Sequence, residues 1–172
     1  MKFSDIQKFP ECKYHEDVAL YRIPRVLASY DQDYGLDMNP DFQRGHVWTL
    51  QQKIDYVEFI LRGGKSAREF YFNCGSWDGS DGTDIPKMTC VDGLQRLTAL
   101  VEFINDKFPA FGYKFSEYED NKRLCDYTFR FEVNNLKRKS DVIKWYIGMN
   151  TGGSKHTEKD IQIALDVLSE CE

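Results

Sequence analysis

The stretch Lys87-Met88-Thr89-Cys90-Val91-Asp92-Gly93-Leu94-Gln95-Arg96-Leu97-Thr98 decides the fold. A β-branched run reaches Val91, an Asp-Gly pair follows, and an amphipathic helix begins at once. Leu97, Leu100, Val101 and Ile104 recur on one face of that helix, and Pro109 lies just beyond its end. A strand that turns directly into a helix aims the first free N–H groups, with their partial positive charge, at whatever sits above the turn. Gly93 lets an anion approach the backbone, and Arg96, in the first helical turn, offers a forked guanidinium to a phosphate. The same residues admit a plainer reading, in which Asp92 caps the helix and Arg96 is a solvated charge.

Glu69 to Asn73 reads as the strand before this one. The Gly/Asp/Ser stretch from Cys74 to Pro86 between them reads as an exposed hairpin loop. It hints at a calcium loop, but the twelfth position counted from Asp78 is Thr89 and not the closing Glu. Further upstream, Thr49-Leu50-Gln51-Gln52 is a capping box. Leu50, Ile54, Val57 and Leu61 follow at helical spacing until Gly63-Gly64 ends the run. Pro24 opens a short helix through Ala28, and Leu36 to Met38 forms a short strand. Downstream, Ser116 to Leu124 reads as a short helix, and Tyr127, Phe129, Phe131 and Val133 share one face of a strand. Ser140 can cap a helix to Met149. Thr157 can cap a last one to about Ser169, with Ile161, Ala164, Leu165 and Leu168 facing the core. The expected architecture is a single α+β domain over residues 1–172, with a small mixed sheet and five or six helices.

Composition agrees with one globular domain: 41% of the 172 residues are hydrophobic and 30% charged, which excludes a low-complexity or wholly disordered chain. No apolar run reaches the length of a membrane span, and Met1-Lys2-Phe3-Ser4-Asp5 has no apolar core of a signal peptide, so no membrane partner is expected. The net charge of −5 counts against a dedicated DNA coater. Cys12, Cys74, Cys90, Cys125 and Cys171 form an odd set without a C-x-x-C pair, which points to free thiols and a cytoplasmic location.

Two further segments carry chemistry. Asn39-Pro40-Asp41-Phe42-Gln43-Arg44-Gly45-His46-Val47-Trp48 packs Gln, Arg, His and Trp into one loop, the density of a ligand-binding loop, although Phe42 and Trp48 also read as core anchors. Met149-Asn150-Thr151-Gly152-Gly153-Ser154 ends a helix in a small loop. Asn150 and Thr151 there offer an amide and a hydroxyl, and Gly152-Gly153 gives φ freedom; a simple Gly-terminated connection is the other reading. Lys137-Arg138-Lys139, followed by Lys144, is the one compact basic run, either a solvated face or a weak, salt-sensitive nucleic-acid contact. There is no Walker P-loop, H-E-x-x-H or zinc-finger spacing, and no metal-ligating cluster is expected.

Together, Asn39-Pro40-Asp41-Phe42-Gln43-Arg44 with Val47-Trp48, Val91-Asp92-Gly93-Leu94-Gln95-Arg96-Leu97-Thr98, and Met149-Asn150-Thr151-Gly152-Gly153 resemble the three blocks of the GmrSD restriction-enzyme N-terminal domain family. That family belongs to the ParB/sulfiredoxin-like superfamily, and short stand-alone versions resemble phage-encoded proteins. The resemblance implies a compact α+β fold whose Asp-Gly-Gln-Gln-Arg block binds nucleotide phosphates and supports nucleoside triphosphate hydrolysis. Here the block is Asp92-Gly93-Leu94-Gln95-Arg96, with Leu94 at the first glutamine. Larger relatives carry a C-terminal HNH nuclease half, which this chain, ending at Glu172, is not expected to contain.

The expected function is therefore a nucleotide-binding domain, with a Mg²⁺-dependent NTPase or phosphotransferase activity, in phage DNA metabolism or phage–host defence conflict. In this reading Asp92 and Gln95 are the catalytic pair. Gln43, Arg44, Asp92, Gly93, Gln95, Arg96, Thr98, Asn150, Thr151 and Gly152 hold the nucleotide, and Arg44 and Arg96 grip its phosphates. Asp92 holds Mg²⁺ or orients the attacking group, and Gln95 places a water or the substrate. The rivals are a non-enzymatic adaptor or decoy that binds DNA or a host defence protein, with Lys137, Arg138, Lys139 and Lys144 as its nucleic-acid contact, and a ParB-like nuclease. Fold alone does not choose among them.

Overall fold

The computed structural model describes residues 2–6, 8–43, 45, 47–79, 82–119, 127–151 and 158–171. In chain order the elements are β1 (Tyr14–Ala19), α1 (Ile23–Tyr34), α2 (Leu50–Leu61), β2 (Glu69–Asn73), β3 (Thr89–Asp92), α3 (Leu94–Ile104), β4 (Thr128–Asn134), α4 (Lys139–Thr151) and α5 (Glu158–Glu170). The strands form one mixed sheet in the order β1-β4-β2-β3. β1 is antiparallel to β4, β4 parallel to β2, and β2 antiparallel to β3. This is the expected α+β class, with five α-helices among the described residues. No helix among them is long and apolar enough to cross a membrane.

Period-two alternation sends the two faces of the sheet into two cores. Phe70 and Phe72 of β2 pair in register with Phe131 and Val133 of β4. With Cys90 and Phe129 they join Ile23, Ile60, Leu97 and Leu100 in a core built with α1, α2 and α3. The alternate positions Val91 and Tyr71 belong to the second core, where Val142, Ile143, Trp145, Tyr146 and Ala164 of α4 and α5 pack with Phe42. Helices thus cover both faces.

The capping box at Thr49 is present. The Gln52 N–H donates to Thr49 Oγ1 at 3.3 Å, and the Thr49 N–H donates to Gln52 Oε1 at 2.8 Å. The structure corrects several expectations. β1 was not read from the sequence. α1 runs to Tyr34 rather than Ala28, and the segment from Ser116 forms only the 3₁₀ turn Phe115–Glu117 before residues 120–126, which lie outside the described set. Leu36 to Met38 makes an isolated bridge from Asp37 to Thr89. Leu50 and Leu165, expected in the core, are 59% and 43% exposed. α2 buries the expected Val57 together with Tyr56 and Ile60, while Ile54 and Leu61 pack partly buried against the same core. Thr157 lies outside the described residues.

Candidate functional site

The β3–α3 turn is built on Phe70. Gly93 caps α3 with φ +115°, a conformation that L side chains rarely adopt, and a Cβ placed there would lie 2.4 Å from Phe70 Cδ1. Arg96 lies over the same ring, its Cζ 5.2 Å from the centroid. Its Nη2 donates to Asp92 Oδ2 at 2.7 Å, and its Nη1 donates to Glu69 O at 2.9 Å. Asp92 therefore meets Arg96 as an ion pair instead of capping the helix. Arg96 ties β2, β3 and α3 together, and with five N–H donors it keeps donors beyond the two engaged here.

Beside this turn is a cavity of about 320 Å³ lined by Lys65, Arg68, Glu69, Tyr71, Asp92 and Arg96, with the backbone turn at Ser66 and Ala67. Ala67 stands at φ +59°, and Tyr56 Oη holds its carbonyl with a 2.8 Å hydrogen bond. A non-glycine residue in that region marks stored strain, here at the cavity rim. Arg68 is partly committed to structure. Its Nε donates to Gly64 O at 2.5 Å, beyond the C-terminal end of α2, and its guanidinium lies over Phe129 and Tyr127. Lys65 is exposed. Tyr71 Oη donates to Glu69 Oε2 at 2.7 Å, and burial, reinforced by that carboxylate, pushes the phenol pKa upward. The cavity presents three cationic and two acidic side chains together.

The polarity of the 39–48 loop has a structural use. Asp37 N–H donates to Met88 O, and Cys90 N–H to Asp37 O, so the segment before the loop runs along the outer edge of β3. Gln43 Nε2 then reaches Cys90 O at 2.6 Å and Val91 O at 2.7 Å, covering an edge that would otherwise be open to pairing. Gln95 latches the far side of the loop. Its Oε1 accepts from the Val47 and Trp48 N–H groups at 3.1 and 3.2 Å, and its Nε2 donates to Gly45 O at 2.9 Å. Both ends of that amide serve the loop, and Gln95 does not line the cavity among the described residues. Gln95→Ala should therefore destabilise by about 2 kcal/mol, from three lost hydrogen bonds around a half-buried side chain. Its signature is faster amide exchange at Val47 and Trp48, with β2 and β4 still protected. Unchanged exchange at those two amides would remove the latch.

Leu94, the position where the block departs from Asp-Gly-Gln-Gln-Arg, is 4% exposed and belongs to the first core. Its side chain faces packing and not the cavity. Thr98 Oγ1 donates to Leu94 O at 2.8 Å inside the helix. Phe42 is 2% exposed and stacks near Tyr146, and Trp48 packs on Tyr56, so both are core anchors.

The third block continues α4 through Thr151. There Asn150 Nδ2 donates to Tyr146 O at 2.7 Å and Thr151 Oγ1 donates to Gly148 O at 3.3 Å, as helix back-bonds. Neither lines the cavity among the described residues; Arg44 and Gly152 lie outside that set. The basic run is largely neutralised. Lys137 pairs with Asp78 at 3.2 Å, Arg138 with Asp141 at 2.9 Å, and Lys139 with Asp41 at 2.7 Å. Lys144 is exposed and also has an interaction partner. The Asp41 hydrogen bond raises the Lys139 pKa. Phosphates would have to compete with these carboxylates for most of the run.

Sequence reading did not assign Lys65, Arg68, Glu69 or Tyr71 to the site. The signal was present in β2, where Tyr71 alternates with the buried Phe70 and Phe72 and so had to face away from their core. No curated protein and no solved structure matches this chain. A family model described as the GmrSD restriction endonuclease, N-terminal domain, matches residues 24–144, a span that contains α1 from its second residue, the 39–48 loop, the hairpin of β2 and β3, α3 and β4. That span holds every residue that lines the cavity, and the chain belongs to the GmrSD N-terminal domain family.

Proposed function

We propose that this chain is a nucleotide-binding domain of a restriction-related system, and that it takes a nucleoside triphosphate by its phosphates in the cavity beside the β3–α3 turn. The family description, of a restriction endonuclease domain, supports the restriction-related setting. The observation that carries the binding reading is the convergence of Lys65, Arg68 and Arg96 on one cavity. About 320 Å³ is at the lower end of small-ligand cavities, suited to the polyphosphate end of a nucleotide with the base outside.

Two carboxylates, Asp92 and Glu69, stand in the same lining, and Mg²⁺ is ordinarily held by one or two carboxylates together with phosphate oxygens. Asp92 and Glu69 are thus the residues that would share the ion, which supplies charge neutralisation along the triphosphate. Arg96 orients the Asp92 carboxylate through the 2.7 Å ion pair, and Tyr71 orients Glu69. Hydrolysis would also need a group that positions water. Gln95, the expected one, is engaged by the loop, so binding with little turnover is the expected behaviour.

Calorimetric titration with each of the four ribonucleoside triphosphates, with and without Mg²⁺, tests this. One saturable site is expected, tighter with Mg²⁺, and weakened about tenfold by Lys65→Ala without a change in melting temperature, since Lys65 is exposed. Absence of saturable binding for all four nucleotides in both conditions would overturn the reading.

A further inference from the structure

β1 closes one end of the sheet, since the strand order runs β1-β4-β2-β3 and β1 pairs with β4 alone. In an antiparallel pair only alternate residues exchange backbone hydrogen bonds. The Leu20 N–H donates to Tyr127 O at 2.9 Å, which fixes that alternation: Val18, Glu16 and Tyr14 bond to β4, while His15, Asp17 and Ala19 turn their N–H and C=O groups outward. The opposite edge, at β3, is covered by the Asp37 segment and Gln43, whereas no backbone bond closes the β1 edge among the described residues. Both faces of this edge are acidic. Glu16, on the α1 side, accepts from Tyr30 Oη at 3.0 Å and has no ion-pair partner among the described residues. Asp17, on the other side, is 66% exposed and meets Arg130 Nε only at 3.9 Å, while Arg130 lies nearer Glu132, at 3.4 Å. On the face of Glu16 the rings of Tyr14, Trp77 and Tyr34 stack in series, with centroids 4.9 and 5.0 Å apart, and Tyr14 is 37% exposed. Asp31 and Asp33, both exposed, stand in the last turn of α1, a helix end that favours cations and here has no basic residue.

We propose that the β1 edge is a docking site for an extended basic segment of another protein, which adds to the four-stranded sheet as a further strand. The outward groups of His15, Asp17 and Ala19 supply the main-chain bonds, and a strand paired there sets consecutive side chains on opposite faces. An antiparallel partner brings one basic residue to Asp17 and the next to Glu16, where the guanidinium of an arginine also lies against the Tyr14 ring. Apolar residues of the partner meet Val18 and Tyr14. A second copy of this chain fits the edge poorly. In two-fold antiparallel pairing, outward-facing residues must meet outward-facing ones, and the two registers that keep five pairs within β1 set Glu16 against Glu16 or Asp17 against Asp17. Like charges directly opposite one another destabilise a strand pair, so the acidic edge selects against self-association and for a basic strand. The proposal does not depend on the nucleotide reading of the cavity at the β3–α3 turn.

The probe is the blocked peptide Thr-Val-Arg-Arg-Thr-Val-Thr, titrated calorimetrically into the full chain at low salt. One saturable event with a Kd of about 0.05–1 mM is expected. Glutamate in place of both arginines should weaken it at least about tenfold, and so should proline in place of the middle threonine, whose N–H pairs with His15 O. In the chain, Glu16→Gln combined with Asp17→Asn should weaken binding about tenfold, and the glutamine keeps an acceptor for Tyr30. Ala19 has φ −67°, the angle that proline requires, and its N–H faces outward, so Ala19→Pro should weaken binding several-fold without lowering the melting temperature. Amide exchange reads the geometry directly: bound peptide should protect His15, Asp17 and Ala19 and leave the already paired Tyr14, Glu16 and Val18 unchanged. The proposal is overturned by no saturable event up to about 5 mM. It is equally overturned by the glutamate or proline peptide binding as tightly as the probe, by unchanged exchange at His15, Asp17 and Ala19, or by a dimer of the free chain that the peptide dissociates, which would assign the edge to a second copy.

Discussion

Gly93→Ala should cost about 2–4 kcal/mol of stability, the largest effect of any single methyl group considered in this chain. Backbone strain at φ +115° contributes one part, and overlap of the new Cβ with Phe70, 2.4 Å away, contributes the other. Phe70 is fully buried between β4 and the β3–α3 turn and has no room to retreat. Urea denaturation should show a midpoint lowered by about 1–2 M with the slope unchanged. Gly63→Ala is the matched control: φ is +87° there, but a Cβ would meet nothing within 4 Å, so only strain of about 1 kcal/mol should appear. Shrinking the ring should separate the two parts further. In the Phe70→Leu background Gly93→Ala should cost less than in the native chain, a coupling between neighbours that a purely conformational penalty would not show. Equal costs for Gly93→Ala and Gly63→Ala would mean that Phe70 does not limit the turn.

Arg96→Ala should remove nucleotide binding and also cost about 1–2 kcal/mol of stability, the figure being reduced for the partial exposure of the pair, 17% for Arg96 and 34% for Asp92. A solvated charge would cost nothing. The loss has three sources: the ion pair to Asp92, the hydrogen bond to Glu69 O and the stacking on Phe70. Arg96→Lys retains the charge but cannot bridge Asp92 and Glu69 O at once, so it should recover part of the binding and little of the stability. Binding measured well below the melting temperature of each variant separates the two effects. Triphosphate affinity within about threefold of the native chain in Arg96→Ala would show that the cavity is not the phosphate site.

The sequence by itself determined the elements whose signals are local. The Thr49 box, the Gly63-Gly64 stop, the strand at Glu69 to Asn73, the aromatic alternation in β4 and the Asp-Gly turn into α3 each follow from signals within a few residues, and each stands where it was read. The first two blocks of the resemblance, both inside the matched span 24–144, pointed to the family by the same local signs; the third lies beyond that span. Tertiary structure alone decided β1, in which Val18 is the one fully buried residue; its polar sequence Tyr14-His15-Glu16-Asp17 becomes a strand because it pairs with the open edge of β4. It also decided the use of the site residues. Spacing showed that Asp92 and Arg96 sit one helical turn apart, but only packing placed Arg96 over Phe70 and opened the cavity between β2 and the 65–67 turn. Gln95 reads from sequence as a group that faces a ligand, and the fold turns its amide onto the loop at Gly45, Val47 and Trp48, about fifty positions away in the chain. The physical reason is common to these cases. Backbone propensity and apolar period act over a turn or a strand, whereas the partner of a polar side chain is chosen by whichever unpaired backbone group folding brings within 3 Å of it.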